Sequence, residues 1–101
     1  MGKSARERPV RLPEKLLQIR VSLGLSQNEM LTALGLKGKV LRSAISGFES
    51  GAREPALPVL LRYSQLAGVS TDYLINDNLD LPDNLPVTEH GKWIMPERVS
   101  S

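Results

Sequence analysis

Residues 25–51 read LSQNEMLTALGLKGKVLRSAISGFESG, and the fold turns on how this stretch is read. Ser26-Gln27-Asn28-Glu29 has the form of a capping box. The Ser26 hydroxyl can accept from the amide of residue 29, and the Glu29 carboxylate can reach back to the start of the helix. A short helix follows through Met30, Leu31 and Leu34, and Gly35 stops it. Leu36 to Val40 then reads as a turn containing Gly38, with Lys37 and Lys39 on either side. The next helix runs from about Leu41 to Ser50 and ends at Gly51, with Val40, Leu41, Ile45 and Phe48 marking a buried face. Arg42, Ser43, Ser46, Gly47 and Ser50 fall largely on the opposite face at helical spacing.

Working outward, residues 1–11 carry Lys3, Arg6, Arg8 and Arg11 among small and polar residues and read as a flexible basic arm. A first helix starts at Leu12-Pro13, since proline suits a first turn, and Glu14 suits the positive end of the helix dipole. Leu16, Leu17, Arg20 and Val21, with Leu23, form its stripe, and Gly24 offers the left-handed exit. Beyond the loop Ala52 to Pro55, a fourth helix takes Leu57, Leu60, Leu61, Ser64 and Leu66-Ala67, with Pro58 in its first turn and Gly68 as its stop. Ser70 caps a short fifth helix through Ile75. Residues 12–76 therefore read as one domain. Residues 77–101 read as an extended, proline-broken surface tail, in which Leu79, Leu81, Leu85, Val87, Trp93, Ile94 and Met95 exceed the apolar content an inert linker needs.

Composition agrees with packed helices. At 101 residues the chain suits one compact domain. With 41% hydrophobic residues but only 4% aromatics, Leu, Val, Ile and Ala must fill the core, which favours helices over a sheet sandwich. The chain has no cysteine, and its single histidine, His90, has no neighbouring metal-ligating partner, so no metal site and no cofactor is expected. No apolar run approaches a membrane span, and the basic N-terminus lacks the apolar stretch of a signal peptide, so a cytoplasmic protein is expected. The net charge of +2 is unevenly spread. Residues 1–24 hold six Lys/Arg against two Asp/Glu, residues 25–68 five against three, and residues 69–101 two against six. A basic front and an acidic tail suit a polyanionic partner, although small proteins often carry charged tails.

Six landmarks in one order resemble the Xre/lambda-repressor-like helix-turn-helix family. They are Leu25-Ser26-Gln27, Gly35, Ile45 to Gly51, Arg53-Glu54-Pro55, Leu66 to Ser70, and Asp72 with Leu74. The resemblance covers most of residues 12–76 and implies an all-α, compact five-helix DNA-binding domain. One departure is an apparent insertion of about four residues, Leu36 to Lys39, in a turn that is usually about 3–4 residues long.

The resemblance implies that the third helix enters the major groove, with Arg42, Ser43, Ser46 and Gly47 near base edges. Arg42 can donate two bonds to guanine O6 and N7, worth about 1–3 kcal/mol of discrimination. The alternative is an exposed arginine that meets only phosphate or solvent. Gly47 offers no side chain where the family often places a long polar one, and it costs about 1 kcal/mol of helix stability relative to alanine. Gln27, Lys37, Lys39, Ser50 and Arg53 are the expected phosphate contacts, Gln27 being otherwise a plain first-turn polar residue and the two lysines otherwise solvated loop charges. Arg20 and Glu49 are implied to form a structural ion pair. Dimerisation is implied too, through a surface around Tyr73, Leu74 and Ile75, where Tyr73 reads equally well as core. The arm is either a DNA-tracking segment or a solubilising one.

Three classes of function follow. The first is a sequence-specific regulator of transcription, a repressor acting on double-stranded DNA as a homodimer. The second is an antitoxin-like module whose tail binds a protein partner, with Trp93 as anchor, and whose DNA binding is autoregulatory. The third, an enzyme, finds no support: there is no nucleophile–base pair, no paired carboxylates in helical register and no phosphate loop.

Overall fold

The computed structural model describes residues 8–83 and 85. Five helices follow one another: α1 (Leu12–Leu23), α2 (Gln27–Ala33), α3 (Arg42–Ser50), α4 (Leu57–Ala67) and α5 (Asp72–Ile75). Among the described residues there is no strand, only one isolated bridge between Lys37 and Val40. Helix α1 packs against α3, α4 and α5, α2 against α3, and α4 against α5, so α1 is the hub. Leu16, Ile19 and Leu23 of α1 are fully buried with Met30, Leu34, Ile45, Tyr63 and Leu74.

Local chemistry explains the boundaries. Ser26 Oγ accepts from the Glu29 amide and the Glu29 carboxylate accepts from the Ser26 amide, so both halves of the capping box are made. Gly24, Gly51 and Gly68 end α1, α3 and α4 in the left-handed region. The connection from α2 to α3 is compact despite its length. The amides of Lys39 and Val40 both donate to the Leu36 carbonyl, at 2.9 and 3.3 Å, closing the apparent insertion on itself.

Several burial assignments differ from the sequence reading. Leu17 and Val21 are exposed, because the buried side of α1 follows Leu12, Lys15, Leu16, Ile19 and Leu23. Leu41 is 77% exposed: it occupies the N-cap of α3 with extended backbone and so lies outside the helical register. Ser70 does not cap α5 through its side chain. Thr71 holds the N-cap position, and Ser70 supplies only its carbonyl, to the Tyr73 amide at 3.1 Å. Leu57 and Leu61 of α4 point outward.

The described residues just after α5 are tied to the start of α1. Lys15, 1% exposed, donates from Nζ to the carbonyls of Tyr73, Asn76 and Leu79 at 2.8, 2.9 and 2.7 Å. Those carbonyls belong to α5 and the segment after it, and the Asn76 carbonyl also accepts from the Leu79 amide at 3.0 Å. Asp77 accepts from the amides of Val10 and Arg11, both at 3.0 Å, and Arg11 reaches the Asp77 carbonyl and Asp80. Leu81 is buried in the core and Leu85 packs against it. Lys3, Arg6, Val87, His90, Trp93, Ile94 and Met95 lie outside the described residues.

Candidate nucleic-acid interface

The outward face of α3 meets the start of α2. Gln27 and Asn28 line one open groove together with Leu41, Arg42, Ser43 and Ser46. Arg42, Ser43 and Ser46 are exposed. Arg42 stands at the first position of α3, and among the described residues no carboxylate pairs with it. Gly47 belongs to the same face by spacing but is half-covered.

Two of the expected contacts are engaged within the protein. Gln27 donates from Nε2 to Glu49 Oε1 at 3.2 Å, which ties the start of α2 to the end of α3. One amide hydrogen and the side-chain carbonyl remain available to a ligand. Ser50 donates its hydroxyl proton to the Gly47 carbonyl at 3.2 Å and accepts from the Ala52 amide at 3.3 Å. It therefore closes the turn after α3 and has no proton left for a phosphate in this conformation. Lys37 and Lys39 are exposed on the connecting turn.

A brace holds the C-terminal end of α3. Arg20 Nε donates to Glu49 Oε2 at 2.6 Å, Arg20 Nη2 to Oε1 at 3.2 Å, and Arg20 Nη1 to the Leu25 carbonyl at 2.8 Å. The two side chains are 17% and 7% exposed. Glu49 is the single acidic residue on α3, so its neutralisation leaves the outward face without net negative charge. Tyr63 is buried nearby, and that burial, reinforced by the charge of Glu49, pushes its phenol ionisation well above the usual range.

Arg53, another expected phosphate contact, folds back on the end of α3. The Arg53 amide donates to the Gly47 carbonyl at 3.1 Å, and its guanidinium carbon stands 5.8 Å from the centroid of the Phe48 ring. Of the residues expected on a dimer surface, Leu74 is fully buried in the core, Tyr73 is partly buried against it, and Ile75 is exposed. Ile75 shares a shallow apolar groove with Leu57, Pro58, Leu60, Leu61 and Thr71, and α4 was the unread half of that surface. Among the described residues no helix is long and apolar enough to cross a membrane, and no three His, Cys, Asp or Glu side chains group to hold a metal ion.

Three comparisons bear on this arrangement. A family model described as helix-turn-helix matches residues 16–74. The chain is 39% identical over 62 residues to the SPbeta prophage-derived uncharacterized HTH-type transcriptional regulator YonR of Bacillus subtilis (strain 168), covering 61% of this chain. The chain spans about half the length of that curated relative, 54%. Its fold is similar to that of the P22 c2 repressor protein, solved in complex with a synthetic operator, at a TM-score of 0.56 and 29% identity, covering 65% of this chain and 94% of the other.

Proposed function

The chain belongs to the helix-turn-helix family, and on that premise we propose that it is a transcription regulator that reads double-stranded DNA with α3, as a repressor and as a homodimer. One observation carries the reading. The outward face of α3 groups an arginine that no carboxylate among the described residues pairs with and two exposed serines around an open groove, while the carboxylate on the same helix is neutralised by Arg20.

Arg42 reads a guanine edge through its two-pronged donor set. Ser43 and Ser46 contribute weaker contacts, since a hydroxyl donates or accepts with little preference. Gln27, Lys37, Lys39 and Arg53 meet phosphates on either side, fixing register without reading sequence. The P22 c2 repressor, solved in complex with a synthetic operator, supports assigning this face to DNA.

A single domain of this size reads few base pairs, so specificity calls for two copies about 34 Å apart along one face of the duplex. The groove of Leu57, Leu61 and Ile75 suits the closure of such a dimer. These side chains are 79%, 49% and 46% exposed and adjacent. The groove is also built on α4 and α5, leaving α2 and α3 free for DNA.

The test is the affinity of the full chain for duplex DNA across a salt series. Loss of affinity with a log–log slope of several units, and a sequence preference that persists at each salt concentration, supports the reading. Absence of duplex binding at low salt contradicts it.

A further inference from the structure

Gly47 sits in the interior of α3, where glycine is less favourable than alanine. Its backbone gives no reason for the choice, because among the described residues the left-handed glycines are Gly24, Gly35, Gly38, Gly51 and Gly68, and Gly47 is not one of them. The reason is space. A Cβ placed on Gly47 would stand 2.9 Å from Cδ, 3.0 Å from Cγ and 3.3 Å from Cβ of Arg53. The chain reverses at Gly51, Ser50 Oγ and the Arg53 amide both donate to the Gly47 carbonyl, and the arginine stem lies back along the helix that has just ended. The guanidinium comes to rest beside the Phe48 ring. Among the described residues no carboxylate pairs with it.

We propose that Gly47 is a positioning residue: by lacking a side chain it seats Arg53 against α3 and fixes the Arg53 guanidinium as a preformed phosphate contact. This rests on the DNA-binding reading above. A phosphate is favoured over a base because Phe48 lies about 100° around the helix from Gly47, toward the buried side. The guanidinium is therefore on the flank of the reading face rather than its crest. A rigid planar fork on a flank matches the backbone phosphates that wall a groove.

Two measurements test the pair, one without DNA. In the free protein, NMR relaxation of the Arg53 side-chain Nε should show a restrained group, released in Gly47→Ala. An Arg53 side chain as mobile in the parent as in Gly47→Ala overturns the proposal whatever the DNA result.

With duplex DNA, Arg53→Ala should weaken binding uniformly across sequences and reduce the log–log salt slope by about 0.9. Gly47→Ala should lose the same slope while keeping every charge and a melting temperature at or above the parent's. The double variant should be no weaker than Arg53→Ala, and Arg53→Lys should fall between. A Gly47→Ala protein that binds like the parent, or losses that add in the double variant, would overturn the seat. A parent that binds no duplex at all overturns the phosphate role and the DNA reading together, and the NMR result then stands separately on the seat.

Discussion

Arg20 on α1 and Glu49 on α3 form a two-pronged ion pair, at 2.6 and 3.2 Å, at the C-terminal end of the helix whose first turns carry Arg42, Ser43 and Ser46. Gln27 adds a third bond to the same carboxylate, so three helices meet at Glu49. Removing one partner of a largely buried pair strands the other charge, at a cost of about 3–5 kcal/mol. Small domains have only about 5–15 kcal/mol in total. Glu49→Ala should therefore lower the melting temperature severely, while the fraction still folded in the cold keeps the parent's sequence preference. Thermal denaturation with normal stability in Glu49→Ala would refute the brace.

The clasp between the start of α1 and the chain after α5 should be sensitive to acid. The Arg11 and Val10 amides hold the Asp77 carboxyl below its usual range. A carboxylate with a depressed folded pKa contributes stability that is complete above its unfolded value, near 3.9, and is lost as pH falls through the folded value. The melting-temperature gap between the parent and Asp77→Asn should thus be constant from neutral pH to about 5 and close in stronger acid. A gap that persists unchanged through the acid range would show that Asp77 does not act through its charge.

The Tyr63 hydroxyl is buried and has no hydrogen-bond partner among the described residues. A buried polar group without a partner costs about 1–3 kcal/mol. Tyr63→Phe keeps the ring and removes that cost, so its melting temperature should equal or exceed the parent's. A clear drop would mean that the hydroxyl is satisfied in solution.

The apolar groove offers a separate handle on assembly. Ile75 is 46% exposed, so Ile75→Lys should leave the fold's stability nearly unchanged. If the proposed dimer closes through this groove, sedimentation should then show a shift toward monomer, and affinity for the selected DNA site should fall without a change in which bases are preferred. An unaltered dimer would move the interface elsewhere on the molecule.

The sequence made the elements legible where the signal was local. The capping box at Ser26 and Glu29, and the left-handed exits at Gly24, Gly51 and Gly68, are each settled within a few residues, and each is found where it was read. The contacts that close the fold span long stretches of chain. Lys15 bonds to carbonyls 58 to 64 residues away, and a lysine in an amphipathic helix looks like any solvated one. The same limit hid the exposure of Leu57 and Leu61, since an apolar spacing shows a stripe without showing what covers it. Gly47 was visible as an anomaly, but its cause, the stem of Arg53, depends on how the turn at Gly51 folds back.

The most direct test of the account is selection of bound duplexes from a random DNA pool with the parent chain and with Arg42→Ala. The account predicts an inverted repeat with half-site centres about one helical turn apart. It further predicts that Arg42→Ala binds the winning site more weakly, with preference lost at one guanine in each half-site. A pool that yields no motif, with weak binding driven wholly by salt, or a motif that Arg42→Ala reproduces unchanged, would contradict it.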